Sequence, residues 1–291
     1  MFSEAVDKRK VKTLLKNFKE KYGDFSSEND SDSVWIGSGK SANTTFCFFH
    51  RDWESSILKE SRWGLRWAAG RSLEKLRKAM NHFPEVLKKI GAVSVAIRIP
   101  MSDHSFVQVL EAGGFCYVGG LATLRLGRQK QKAPQRTAGV SIRKVQKNDI
   151  GQLEKVARTA FTEGRFYHEP GLKAGSAQKI YGVWAKNSVN YADEIWVADK
   201  KGQSGFVSLK KDHKGRRLWI DLIAVAPHAQ GLGIGGLLVE KSIKSVSLQK
   251  DWDLAVKTEP ENLKALHFYL KNGFELESFQ LDYVWRQKAA R

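Results

Sequence analysis

One stretch, residues 218–243 with the sequence LWIDLIAVAPHAQGLGIGGLLVEKSI, limits what this chain can fold into more than any other. Residues 218–225 are apolar except for Asp221 and have the length and composition of a buried strand, which Pro227 closes. Gln230, Gly231, Leu232, Gly233, Ile234, Gly235 and Gly236 follow, and then Leu237, Leu238 and Ile243 with the spacing of an apolar helix face. A strand, a glycine-rich turn and a helix N-terminus in succession form an anion site. Glycines let backbone N–H groups converge, and the helix dipole favours negative charge. A pyrophosphate suits such a site. A dinucleotide-binding site is disfavoured, because no suitable acidic ribose partner stands about twenty residues on.

The segment 256–274, VKTEPENLKALHFYLKNGF, takes a short strand into a loop with Glu259 and Pro260. Asn262 stands at a helix start, Ala265, Phe268 and Tyr269 fall on successive turns, and Asn272-Gly273 closes the helix with a glycine suited to a left-handed cap. Together with Q-x-x-G-x-G after a V-x-P strand end, this segment resembles the GNAT N-acetyltransferase superfamily, whose Asn, Ala, Tyr and Gly-Phe come in the same order. The resemblance implies an α+β GNAT fold: a mixed, mostly antiparallel central sheet flanked by helices, with two strands that splay around the thioester of acetyl-CoA, the acyl donor. It further implies donor contacts from Ile223, Ala224 and Val225, whose backbone would serve the oxyanion. Phosphate contacts would come from N–H groups of Gln230, Gly231, Leu232, Gly233, Ile234 and Gly235. Asn262 would bind the pantetheine arm or position Tyr269, and Tyr269 would act as general acid toward the leaving thiolate.

The first half repeats part of this pattern. RIPMSDHSFVQVLEAGGF (98–115) matches KTEPENLKALHFYLKNGF (257–274) in having a strand end, a Pro-containing loop, an N-cap residue, an amphipathic helix and Gly-Phe. Asp103 falls opposite Asn262 and Leu110 opposite Tyr269, but no glycine turn of the Q-x-x-G-x-G kind is present. The expectation is a degenerate, partial GNAT-like N-terminal domain without a donor site. A partial domain joined to a complete one resembles the dTDP-fucosamine acetyltransferases and related sugar-nucleotide amine N-acetyltransferases. ARTAFTEGRFYHEP (157–170), YGVWAKNSV (181–189), GFVSLKK (205–211) and DYVWR (282–286) look like segments of that group, as does RDWES (51–55). The group's following Phe-Phe-Gly is replaced here by SILKESRWG. This resemblance spans about residues 45–286 and implies that Arg165, Phe166, His168, Trp184 and Asn187 contact the acceptor, a small-molecule amine of the nucleotide-linked amino-sugar class. For the base, Asp221, Glu259, His168 and His267 stay open.

The length of 291 residues suits about two domains. The expected division is a basic helix and acidic loop over 1–33, a partial domain over 34–127, a linker over 128–139 (within GRQKQKAPQRTAG) and a catalytic domain over 140–291. In the last, strands are expected at 140–144, 194–199, 204–211, 217–226, 253–258 and 274–286, and helices at 148–161, 175–187, 233–248 and 261–271. The first half reads as strands near 44–49, 93–99 and 115–118, with helices over 71–90 and 103–112.

Other chemistry is set aside. Gly37-Ser38-Gly39-Lys40-Ser41 mimics a phosphate-binding loop, but Val34 stands where that loop needs its first glycine, so a polar turn between strands is expected. Seven histidines and two cysteines show no metal-ligand spacing, and no metal is expected. No segment approaches the roughly 20 apolar residues of a membrane span, so no membrane insertion is expected, and two cysteines, too few for a disulfide framework, point to a reducing, cytoplasmic compartment. The formal net charge of +18 attracts polyanions. Its concentration in residues 8–21 keeps a second reading open, a protein or ribosome-associated N-acetyltransferase docking on RNA, and a homodimer is a further partner option.

Overall fold

The structure, a computed structural model, describes residues 34–38, 44–70, 73–81, 83–89, 91–126, 139–199 and 202–287. The expected basic helix, the acidic loop and nearly all of the linker lie outside the described residues. Two compact units emerge. Unit 1 comprises the chain to Gly119 with Glu169–Gly171 and Gln280–Arg291, and unit 2 comprises Gly120–His168 and Leu172–Phe279.

Unit 1 runs β1 (Val34–Ser38), β2 (Thr44–His50), α1 (Asp52–Leu58), β3 (Arg62–Gly70), α2 (Leu73–Met80), α3 (Phe83–Lys89), β4 (Ser94–Pro100) and α4 (His104–Ala112). β1, β2 and β3 form an antiparallel meander, and β3 pairs parallel with β4. On the far side of β4 lies β11 (Glu275–Arg286), antiparallel through its residues 280–286. Phe83 packs at 5.5 Å from Phe48 and 5.3 Å from Phe115, amid Met80, Leu87, Val95 and Leu110. The expected helix over 71–90 is two helices. Pro84 has no N–H for a helix interior, so it sits in the first turn of a new one. β1 includes Gly37 and Ser38, and Thr44 opens another strand and not a helix; the expected polar turn over Gly39–Ser41 lies outside the described residues.

Unit 2 contains β6 (Ser141–Lys144), α5 (Ile150–Ala160), α6 (Arg165–His168), α7 (Ser176–Ser188), β7 (Glu194–Asp199), β8 (Gln203–Asp212), β9 (Arg217–Val225), α8 (Ile234–Ser247), β10 (Asp253–Thr258) and α9 (Leu263–Lys271). With the distal part of β5 (Cys116–Leu126), its strand order is β5-β10-β9-β8-β7-β6. Only β10 and β9 are parallel. Phe206 and Val207 alternate toward opposite faces. One is covered by α5 and α7 through Leu153, Val156, Ala157 and Ala185, the other by α8 and α9 through Leu238, Val239 and Tyr269, with Phe274 after α9 in the same cluster. This is the mixed, mostly antiparallel, helix-flanked sheet expected of a GNAT fold. The expected elements of this half recur with ends within two residues.

The units divide elsewhere than the expected linker. Residues 122–126 of β5 pair with β10 in unit 2, and residues 280–286 of β11 pair with β4 in unit 1, so each strand is counted with the sheet that satisfies its backbone. The two pairings share one register. Asn262 stands 159 residues after Asp103, and the same offset relates Ile99 to Thr258 and Ala122 to Leu281, so that the pair Ile99↔Leu281 corresponds to Thr258↔Ala122. Asp103 caps α4 by accepting from Phe106 N at 3.2 Å, as Asn262 caps α9 from Ala265 N at 3.0 Å. Gly114 and Gly273 then take φ of +81° and +89° before Phe115 and Phe274. The repeat seen in the sequence is thus a repeat of structure. One feature is not repeated: eight residues separate β9 from α8, but only two separate β3 from α2, leaving unit 1 without the turn.

Candidate functional site

β9 reads as alternately buried and half-buried along its length. Its pairing with β8 shifts at Ser208/Leu209: Ser208 faces Leu222 and Leu209 faces Ile220, so Asp221 has no residue opposite and forms a bulge. On its other side β9 pairs with β10 only from Asp253↔Arg217 to Val256↔Ile220. Beyond that point both strands keep their outer neighbours, β9 to Val225↔Gly205 and β10 to Thr258↔Ala122, while parting from each other. Residues 221–225 therefore flank a gap between two strands, as the fold expectation required. β9 and β8 run close there, since a Cβ on Gly205 would lie 2.8 Å from the carbonyl oxygen of Ala224.

The turn after β9 opens with a single 3₁₀ turn at Pro227–Ala229. Gln230 Nε2 donates to Val225 O at 3.2 Å, and Lys264 Nζ donates to Gln230 Oε1 at 2.8 Å. Gly231 and Gly233 have φ of +80° and +77°, in the left-handed region where glycine alone is unstrained. Gly233 caps α8 without a side-chain acceptor, and no acidic residue stands in its first turn. The first N–H groups of this fourteen-residue helix are therefore uncapped by side chains, which leaves an anion-binding end with Lys264 beside it. Gly231, Gly233 and Gly236 also satisfy dinucleotide spacing. Yet β9 pairs antiparallel with β8, and the doubly wound parallel sheet that this pattern serves is absent among the described residues. Ile223 and Val225 are half-buried, Ala224 is buried, Leu232 is exposed, and Ile234 is packed in the core.

Tyr269 on α9 is 4% exposed, packed edge-on to Phe268 and Phe274. Burial, and then the negative charge of Glu259, hold its hydroxyl well above the usual tyrosine range. Asn262 spends its side-chain oxygen on the cap of α9 and so fixes the helix that carries Tyr269. Glu259, just past the end of β10, accepts from the Tyr181 hydroxyl at 3.4 Å.

The expected acceptor residues divide. Arg165 lies over the ring of Phe166 at 4.1 Å, and Phe166 itself is buried as packing. His168 is exposed, 3.9 Å from Glu163. Trp184 Nε1 donates to Tyr191 Oη at 2.8 Å, and Tyr191 donates to Asp221 Oδ2 at 2.9 Å, tying α7 to the bulge. Asn187 is half-buried on the same helix. Asp221 is half-buried and accepts from the Tyr191 hydroxyl. His267 is exposed. Tyr191, which joins Trp184 to Asp221, carried no signal beyond being aromatic, and Tyr181 stood in the 181–189 segment without an assigned role. Among the described residues no group of His, Cys, Asp or Glu could hold a metal ion, and no helix is long and apolar enough to cross a membrane.

Residues 192–276 match the model of the Acetyltransferase (GNAT) domain. Spore coat polysaccharide biosynthesis protein SpsD of Bacillus subtilis (strain 168) is 22% identical over 240 residues, 82% of this chain and 83% of that protein. Among solved structures, a GCN5-related N-acetyltransferase from Sphaerobacter thermophilus has a TM-score of 0.63 at 11% identity, covering 95% of this chain and 85% of its own. The tandem GNAT protein from the clavulanic acid biosynthesis pathway gives 0.60 at 11%, over 89% of this chain and 85% of its own. A GCN5-related N-acetyltransferase from Kribbella flavida gives 0.57 at 12%, over 98% of each. The chain carries a GNAT acetyltransferase domain, whose acyl donor is acetyl-CoA. The glycine turn, the uncapped helix end and the strand gap fit that donor.

Proposed function

We propose that this GNAT acetyltransferase moves the acetyl group of acetyl-CoA onto the primary amine of a nucleotide-linked amino sugar, the amine attacking the thioester directly. The observation that carries the reading is the parting of β9 from β10 beyond Ile220↔Val256, directly before a glycine turn that can take phosphates. The sugar class is supported by the similarity to SpsD, whose name places it in spore coat polysaccharide biosynthesis. In this reading N–H groups of the turn from Gln230 to Gly235 hold the donor phosphates, and backbone groups of Ile223, Ala224 and Val225 serve the thioester oxygen as charge develops on it. Tyr269 protonates the departing sulfur. Arg165, Trp184 and Asn187 serve the acceptor, Arg165 through its guanidinium fork toward phosphate. The charge of +18 favours protein or ribosome-bound acceptors as the second reading.

Free-thiol release from acetyl-CoA, measured against nucleotide-linked amino sugars, free amino sugars and lysine peptides, tests this reading. Turnover with the first class alone is expected. Turnover with peptides alone selects the second reading, and background hydrolysis throughout overturns both. The turn has its own test. A Cβ on Gly231 meets nothing within 4 Å, so Gly231→Ala isolates the cost of a left-handed φ. At about 1–2 kcal/mol, acetyl-CoA should bind roughly 5–30-fold more weakly by titration calorimetry. Unchanged affinity would mean that the turn does not hold the donor.

A further inference from the structure

We infer that Lys257, with Lys210 beside it, holds a phosphoryl group of the acceptor while the acceptor's amine enters the strand gap. The inference rests on the acetyl-transfer reading above and names an anion site within it. Lys257 and Asp221 are the first residues of β10 and β9 beyond their last pair, Val256↔Ile220, so they stand at the mouth of the gap. Successive strand residues point to opposite faces. Leu218, Ile220, Leu254 and Val256 belong to the core under α8 and α9, which turns Arg217, Trp219 and Lys257 to the other face. Lys210 lies directly opposite Trp219 on β8 and shares that face, since its neighbour Leu209 joins the same core. On this second face the core under α5 and α7 takes in Leu222 and Ala224 and does not include Trp219.

Trp219 is the support. Arg217 lies over its ring at 5.2 Å, and the two Nη groups of Arg217 donate to the two carboxylate oxygens of Glu277, each at 2.9 Å. Lys257 Nζ lies over the same ring at 4.8 Å. The indole thus positions a flexible four-carbon stem, and less entropy is lost when its ammonium meets an anion. Lys210 Nζ lies over the Tyr191 ring at 5.3 Å, and Tyr191 donates to Asp221. The other charges of this face are matched nearby. Arg217 has Glu277, Arg125 has Asp253 at 3.3 Å, and Glu259, two residues beyond Lys257, accepts from Tyr181. Lys210 is exposed and makes no ion pair among the described residues. Two ammonium groups on an aromatic floor beside the gap attract an anion and repel the ammonium of a lysine peptide. A nucleotide-linked or phosphorylated amino sugar brings such an anion on the same molecule as its amine.

Calorimetry on protein saturated with coenzyme A tests this apart from turnover, with UDP and dTDP as probes. Lys257→Met keeps a stem on the indole and removes the charge, and it is expected to weaken the bound diphosphate about tenfold. Lys257→Arg should stay within about threefold of wild type, and Lys210→Ala, at an exposed position, should weaken binding about threefold. Steady-state kinetics then compares a nucleotide-linked amino sugar, the amino-sugar 1-phosphate and the free amino sugar. Lys257→Met is expected to raise KM about tenfold for whichever phosphorylated sugar is acetylated, with kcat and the KM of the free sugar within about twofold. A rise confined to the nucleotide-linked sugar assigns the site to its diphosphate, and a rise for both phosphorylated sugars assigns it to the phosphate next to the ring. Wild-type protein that binds neither diphosphate, Lys257→Met affinity within about twofold of wild type, or a KM rise shared equally by the free sugar would each overturn the anion site. A wild-type enzyme that binds a diphosphate through Lys257 yet acetylates no amine would instead overturn the acetyl-transfer reading.

Discussion

Tyr269→Phe is expected to lower kcat by about 10²–10⁴-fold, the usual worth of a positioned general acid, while leaving acetyl-CoA affinity within about twofold of wild type. Removing one oxygen from a ring that packs against Phe268 and Phe274 leaves the core contacts intact. The loss should therefore appear in turnover and not in folding or donor binding. Acyl donors with a more acidic leaving thiol need less protonation and should recover much of the lost rate. Steady-state kinetics with acetyl-CoA and with an aryl thioester measures this. Equal losses with both donors would remove Tyr269 from the acid role.

The second large effect is on stability. Arg62 is fully buried in unit 1. Its Nε meets Glu54 at 3.0 Å, Nη1 meets Glu60 at 2.7 Å, and the fork closes on Glu169 at 2.7 and 2.6 Å. Arg286 bridges Glu60 and Glu169, and Arg51 holds Glu54, so three guanidiniums face three carboxylates. Burial alone would discourage the charge on Arg62, yet Glu169, Glu54 and Glu60 hold its guanidinium protonated above the ordinary value. Glu169→Ala strands that charge and is expected to cost unit 1 about 3–5 kcal/mol. Arg51→Ala, at the cluster's more exposed rim, should cost far less. Urea unfolding of the two variants, followed by tryptophan fluorescence, tests the difference, and equal midpoints would contradict it.

Much of unit 2 was legible because its signals are local. The alternation along β9, the run of glycines, and an N-cap with a closing Gly-Phe each fix an element from a few adjacent residues. The first half was less so. Arg62 and Glu54 are fully buried, and charged residues mark a surface in any pattern of burial, so α1 and β3 were hidden by the cluster that stabilises them. The division of the chain was misplaced for a similar reason, since which sheet claims the ends of β5 and β11 depends on partners more than a hundred residues away. In the site, the glycine turn stood out by spacing, and Tyr269 and Asn262 through the family resemblance that their order carries. The bulge at Asp221, and the meeting of Gly164, Tyr181 and Glu259, arise from cross-strand register and from contacts 18 and 78 residues apart. Nothing in one sequence orders those contacts. The pattern shared by the two halves recurs in the register of β4 with β11 and of β10 with β5, and in the matching caps of α4 and α9.

Direct attack of an amine on the thioester is the central claim, and rapid-quench analysis tests it. Enzyme mixed with acetyl-CoA alone should release no thiol and carry no acetyl group by intact mass. Addition of a nucleotide-linked amino sugar should then release one thiol for each N-acetylated sugar formed. A burst of thiol with acetylated protein before any acceptor is added would contradict the account.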